Sequence, residues 1–136
     1  MEPGQSRDDA PQPRVLVVDD DPAVGMAIKF ALKPLQVTFA QSAAGALARV
    51  GAGGNFAAVV CDLHMPGMTG MQFHAEVAKI APALADRIVF VTGGAAAPEA
   101  AAFLGRTSNT CLQKPFQPDA LRAAVAAASA RRAPWR

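Results

Sequence analysis

The sequence predicts a single α/β domain, a doubly wound parallel sheet of five strands covered by helices on both faces. Two observations carry this. Five short, mostly apolar and β-branched runs alternate with five stretches of helical character, the spacing of strands buried on both sides. Four of the five runs also deliver a polar residue able to do chemistry: Asp19 to Asp21, Asp62, Thr92 and Lys114. In open parallel sheets, ligands bind outside that end of the strands.

Residues 1–13 are polar, with three prolines, and read as a disordered leader. RVLVV (14–18) is the first strand. Asp21 followed by Pro22 is an N-cap with proline at N1, and Val24, Ile28, Ala31 and Leu32 follow at helical spacing until Pro34. QVTFA (36–40) is the second strand, and Ser42 caps an alanine-rich helix that stops at GAGGN (51–55). FAAVVC (56–61) is the third strand, delivering Asp62. Residues 63–70 form a long loop, and Phe73, Val77 and Ile80 mark the apolar face of the next helix. RIVFV (87–91) is strand four, ending at Thr92; Gly93 and Gly94 then open a weak segment with a short helix near 98–104. NTCLQ (109–113) is strand five, ending at Lys114-Pro115. Pro118, Leu121, Val125 and Ala128 give the last helix, before a basic tail at 131–136.

Composition narrows the class. A chain of 136 residues that is 51% hydrophobic and 18% charged is one globular domain. The net charge of +2 gathers in Arg122, Arg131, Arg132 and Arg136, too short a stripe for nucleic-acid binding. No apolar run is long enough to span a bilayer and the start has no signal-peptide pattern, so no membrane partner and a cytoplasmic location are expected. Cys61 and Cys111 lie inside apolar runs without metal-ligand spacing and read as buried free thiols. His64 and His74 read as loop and helix-surface residues, and Met65, Met68 and Met71 as packing residues.

The stretch VLVVDDDP (15–22) poses the chemical question, because three adjacent carboxylates repel one another. Crowded carboxylates either raise one another's pKa or bind a cation, and a hard ion such as Mg²⁺ suits them. Asp62 is then available as a nucleophile toward phosphorus. Lys114 would serve as a point charge on a phosphoryl oxygen and Thr92 as a hydrogen-bond donor to another. Singly, each residue has a plain reading: Asp21 caps a helix, Asp19 or Asp20 sits in a turn, Lys114 is a surface lysine. Their joint placement at four strand ends is what points to chemistry.

The segments VLVVDDDP, CDLHMPGMTG, VFVTGG and LQKPF resemble the four signature segments of response-regulator receiver domains, across residues 14–130. The resemblance implies a flavodoxin-like strand order 2-1-3-4-5. It makes Asp62 the phosphoacceptor, Asp20 a direct Mg²⁺ ligand and Asp19 a ligand through water. Asp62 and the backbone carbonyl of His64 would complete the protein's share of the coordination. Thr92 matches the switch hydroxyl and Lys114 the phosphate-binding lysine, with a cis Lys114–Pro115 bond. The implied donor is a sensor histidine kinase or a histidine phosphotransfer protein, and the implied output is a changed surface for a downstream protein. Such a domain catalyses only its own phosphorylation and dephosphorylation. Cys111 stands where the family's aromatic switch residue is usual. The Gly93-Gly94 pair and alanine-rich fourth helix are similar to receivers attached to hybrid sensor kinases. In that strand order the backbones of Cys61 and Cys111 lie roughly 10 Å apart, beyond the reach of a disulfide. The expectation is a single-domain relay or the receiver of a larger kinase. Two rivals stay open: a Mg²⁺-dependent phosphatase, which would want an acid where His64 stands, and an interaction module independent of phosphorylation.

Overall fold

The computed structural model describes residues 13–93 and 98–131. Residues 1–12 of the expected leader (1–13), residues 94–97, which include Gly94, and residues 132–136 of the basic tail lie outside the described residues. The elements, in order, are β1 (Arg14–Val18), α1 (Pro22–Ala31), β2 (Gln36–Ala40), α2 (Ala43–Gly51), β3 (Ala58–Asp62) and α3 (Gly70–Ile80). Then follow α4 (Pro82–Ala85), β4 (Ile88–Thr92), α5 (Pro98–Arg106), β5 (Cys111–Gln113) and α6 (Pro118–Ser129). The five strands are parallel in the order β2-β1-β3-β4-β5, as the resemblance implies.

Strand alternation builds two cores, one on each side of the sheet. Val15 and Val17 of β1, Val60 of β3 and Val89 of β4 face α1 and α6, meeting Ile28, Leu32, Leu121 and Val125. Leu16, Val18, Cys61 and Phe90 point the other way, onto Ala46 of α2, Phe73 and Val77 of α3, and Phe103 of α5. The central strands β3 and β4 are buried along their whole length, which explains their unbroken apolar run. Asp21 caps α1 and Ser42 caps α2, each accepting a backbone N–H of the first turn.

Several expectations are corrected. Phe56 and Ala57 precede β3 instead of opening it, because the Arg87 guanidinium binds their carbonyls at 3.1 and 2.8 Å. Arg87 accordingly sits before β4, which runs through Thr92. A short turn of helix, α4, was not expected, and it moves the end of the α3 face. Ile80 is 54% exposed, while Leu84 and Ala85 of α4 close the core there. β5 is only three residues long because the Asn109 amide bonds the carbonyls of Ala85 and Ile88 instead of extending the ladder. On that edge strand Cys111 is half-buried, whereas Cys61 is fully buried; both are free thiols.

His74 is also not a simple surface residue. Its ring meets Phe90 and Phe103 at centroid distances of 5.9 and 5.7 Å. Burial there pulls the imidazole below its ordinary 6.5, and the Asp86 carboxylate opposes this only in part. The unfolded chain then binds a proton that the folded chain resists. Stability present above pH 6.5 is therefore lost as the pH falls through that value toward the folded pKa. Thermal melts between about pH 8 and pH 5 should show this loss in the parent protein and a flatter profile in His74→Leu. Parallel profiles would show that other groups carry the acid limb.

Candidate functional site

The two halves of the sheet diverge between β1 and β3, and the crevice above that switch point is where the acidic strand ends meet. Backbone pairing continues one step beyond three strands, which fixes the residues that follow them. Asp19 N–H donates to the Ala40 carbonyl at 3.2 Å, Leu63 N–H to Val91 at 2.9 Å and Lys114 N–H to Thr92 at 2.7 Å.

The three aspartates of the opening stretch have different surroundings. Asp19 is 1% exposed; one of its oxygens accepts the Asp21 N–H at 2.9 Å and the other the Lys114 ammonium at 3.2 Å. The first of these bonds closes a tight turn that leaves Asp20 exposed. Asp21 is left in extended backbone as the cap of α1, accepting Ala23 N–H at 2.9 Å. Carboxylate oxygens of Asp19, Asp20 and Asp62 lie within 4.8 Å of one another.

Asp62 ends β3 and is 6% exposed. Its Oδ1 accepts the His64 N–H at 3.2 Å and its Oδ2 faces Lys114 Nζ at 3.5 Å. The His64 side chain is exposed, so only its backbone attends the site. Thr92 is buried, and its hydroxyl oxygen has no hydrogen-bond partner among the described residues. The Lys114–Pro115 bond is cis, as the resemblance implies.

Burial pushes the Asp62 carboxyl above the usual carboxylate value; the His64 N–H and Lys114 pull against it, and Asp19 adds to the rise. For Lys114, burial works downward, but Asp62 and Asp19 outweigh it and hold the ammonium above the ordinary lysine value. One ammonium pairs with Asp19 and Asp62, and Asp20 brings a third carboxylate to the same cluster, an excess of negative charge. The donors are hard oxygens, several of them able to share one ion, which fits Mg²⁺. An ammonium and a buried hydroxyl lacking a partner suit the oxygens of a phosphoryl group.

Gly70, which sequence reasoning left at the end of a loop, positions this site. Its N–H binds the Leu63 carbonyl at 3.0 Å, and a Cβ there would stand 2.5 Å from the Asp62 carbonyl oxygen. The signal was legible in Thr69 and Gln72, which form a reciprocal capping box and make Gly70 the first residue of α3.

A carboxylate cluster beside a lysine at the carboxyl ends of a parallel sheet defines a class of phosphate-handling α/β proteins, and the comparisons narrow it. The model of the response regulator receiver domain family matches residues 15–126, and the chain belongs to that family. It is 32% identical over 113 residues to the transcriptional regulatory protein GlrR of Escherichia coli, covering 82% of this chain and 25% of that protein. The chain therefore spans about a quarter of the length of the curated relatives it matches. A response regulator receiver domain protein from Clostridium thermocellum superposes with a TM-score of 0.77 at 26% identity, over 88% of this chain and 95% of that one. A CheY-like receiver domain protein from Methanospirillum hungatei does so with a TM-score of 0.73 at 26% identity, over 88% and 96%. The chain is a receiver of the two-component type, a phosphoryl-accepting signalling domain. No helix among the described residues is long and apolar enough to cross a membrane.

Proposed function

We propose that Asp62 is the phosphoacceptor and that a phosphohistidine on a sensor kinase or phosphotransfer protein is the donor. The supporting observation is the convergence on Asp62 of Lys114 at 3.5 Å with Asp19 and Asp20 in one carboxylate cluster. An Asp62 oxygen attacks phosphorus while the P–N bond to the donor imidazole breaks. The imidazole leaves with the electron pair and takes up a proton, and an acyl phosphate remains on Asp62. Lys114 turns from the carboxylates toward the incoming oxygens, and Thr92 gives its hydroxyl hydrogen to one of them, gaining the partner it lacks. Asp20, Asp62 and the His64 carbonyl, with Asp19 beside them, would hold Mg²⁺, which would supply charge neutralisation for the phosphoryl oxygens. The acceptor chemistry is confined to the domain's own acyl phosphate, in the cytoplasm, and the output is a changed protein-binding surface. With Cys111 at the switch position, that change runs chiefly through Thr92 and Gly93, since no large ring there can swing between buried and exposed rotamers.

Incubation with a small phosphodonor followed by intact-mass measurement tests this. One phosphoryl group should add with Mg²⁺, map to Asp62, and fail to add with a chelator. Label on another residue would refute the assignment.

The neighbouring aspartates give a sharper test. Of the neighbouring pair, Asp19 has both oxygens engaged within the protein, whereas Asp20 is exposed and free to approach an ion directly. Asp20→Ala should lower Mg²⁺ affinity at least about tenfold, the scale of one lost charge-assisted contact. Asp21→Ala should leave affinity nearly unchanged and cost about 1 kcal/mol of stability, the worth of an N-cap. Equal losses of affinity in a Mg²⁺ titration would mean the ligand is misassigned.

A further inference from the structure

A groove of about 420 Å³ opens at the amino ends of β3 and β4, between the end of α2 and α4. Val50, Phe56, Ala81, Pro82 and Leu84 give it apolar walls, and Arg87 lines it too. Asp62 stands at the other end of β3, roughly 20 Å along the strand. The walls are fixed in advance. The Arg14 guanidinium lies over the Phe56 ring, 5.0 Å from its centroid, and Gly54 approaches the same ring so closely that a Cβ there would stand 2.3 Å from it. Arg87 donates to the Phe56, Ala57 and Ala83 carbonyls, which ties the two sides together.

The charge around this groove is one-sided. Arg14 and Arg49 are exposed, Arg49 preceding Val50 in the last turn of α2, and neither pairs with a carboxylate among the described residues. Lys79 pairs with Glu76. Asp86, next to Arg87 in the chain, lines a separate cavity with His74 and Phe103. The end of α2 contributes about half a negative charge, less than two guanidiniums carry. Two of its carbonyls, on Ala48 and Val50, already accept the N–H groups of Ala52 and Gly53.

We propose that the groove docks an acidic segment of a partner protein, with one bulky apolar side chain seated against Phe56 and Leu84 and flanking carboxylates on Arg14 and Arg49. The volume suits one such side chain with the backbone on either side of it. The anchor leaves water, and each guanidinium presents a planar fork that matches a carboxylate. Walls set in advance remove much of the cost of ordering a mobile surface. A second copy of the chain is a poorer occupant. Among the described residues its exposed large apolar side chains are Met26, Phe30 and Ile80. Lys29 and Lys33 stand with the first two, and Lys79 precedes the third, so each brings a cation toward the arginines. A lipid surface is flat and leaves a recess unfilled.

Panning a displayed library of random dodecapeptides against the full chain tests this, with an Arg49→Glu/Ala83→Glu double variant as counter-selection. Both substitutions fall at exposed helix positions away from Asp62, so circular dichroism and phosphodonor labelling should match the parent protein. Enriched peptides should share one bulky apolar residue with aspartate or glutamate close on either side. The best of them, made with a fluorescent label, should bind each single variant at least about tenfold more weakly, the scale of one lost charge-assisted contact. Replacing its apolar residue with serine should weaken it comparably, and added salt should weaken it progressively. No enrichment, enrichment without acidic residues, or undiminished binding to either single variant overturns the proposal. So does a concentration-dependent dimer that Arg49→Glu dissociates, which would make a second copy the occupant. Binding to phosphatidylglycerol vesicles that Arg49→Glu abolishes would assign the groove to a lipid surface, and equally overturns it.

Discussion

Asp62→Asn is expected to take up no phosphoryl group from a small donor, with or without Mg²⁺, and to be more stable than the parent protein. The first result follows from chemistry, because an amide is a poor nucleophile and brings no charge to the cation site. The second follows from electrostatics. Burial holds the Asp62 carboxyl above the ordinary carboxylate value even though Lys114 and the His64 N–H both favour the anion. A group whose folded pKa is raised binds protons more readily in the fold, so its ionised form at neutral pH costs stability. Asn removes that charge and also the repulsion with Asp19. The Asp19–Lys114 contact at 3.2 Å remains to neutralise the lysine. The gain without Mg²⁺ should be on the order of 1 kcal/mol, the scale found when a functional charge is traded for stability. It should shrink as Mg²⁺ is added, because the ion stabilises only the protein that binds it. Denaturant melts with and without the ion read both terms. A variant that still labels at position 62, or one less stable than its parent, would contradict the account.

Gly70→Ala should damage both fold and chemistry from a residue that bears no functional group. The added Cβ would lie 2.5 Å from the Asp62 carbonyl oxygen and 2.9 Å from the Leu63 Cα. Both neighbours are backbone, so no side-chain rotation relieves the contact, and the loop after β3 has to shift. Alanine gains roughly 0.5–1 kcal/mol over glycine in a helix, whereas overpacking costs roughly 1–3 kcal/mol. The clash therefore wins. Moving the acceptor carboxylate by about 1 Å should cut the labelling rate by up to about 10²-fold, the penalty of a misplacement of that size. Gly105→Ala is the matched control. Nothing lies within 4 Å of its Cβ, so it should gain stability and label normally. Normal labelling in Gly70→Ala would show that the close approach does not position Asp62.

Much of the site was legible because its chemistry sits at strand ends, and strand ends are where apolar periodicity breaks. VLVV followed by DDDP, or VVC followed by Asp62, shows both the element and its polar terminus in a few residues. Asp21 as a cap was equally local, since a cap needs only its own first turn. The edges were harder. Residues 109–113 have strand composition, but the Asn109 amide is drawn to Ala85 and Ile88, some twenty residues away, and β5 shrinks to three residues. Ile80 fits the helical stripe, yet α4 fills the core in its place. His74 looked like a surface residue until two phenylalanines from β4 and α5 closed on it.

The sequence by itself determined the alternation of strands and helices, the caps, and which residues could react, because each depends on neighbours within a turn or a strand. Tertiary structure alone decided which of the two neighbouring carboxylates, Asp19 or Asp20, is tied to the rest of the protein. The Asp19 carboxylate is engaged by Lys114, 95 residues distant in the chain, while Asp20 is left to solvent. It also decided that Gly70 must be glycine, since only the fold brings the start of α3 against the Asp62 carbonyl. Burial, ion pairing and close backbone approach are pairwise properties of residues far apart in the chain, and no local pattern encodes them.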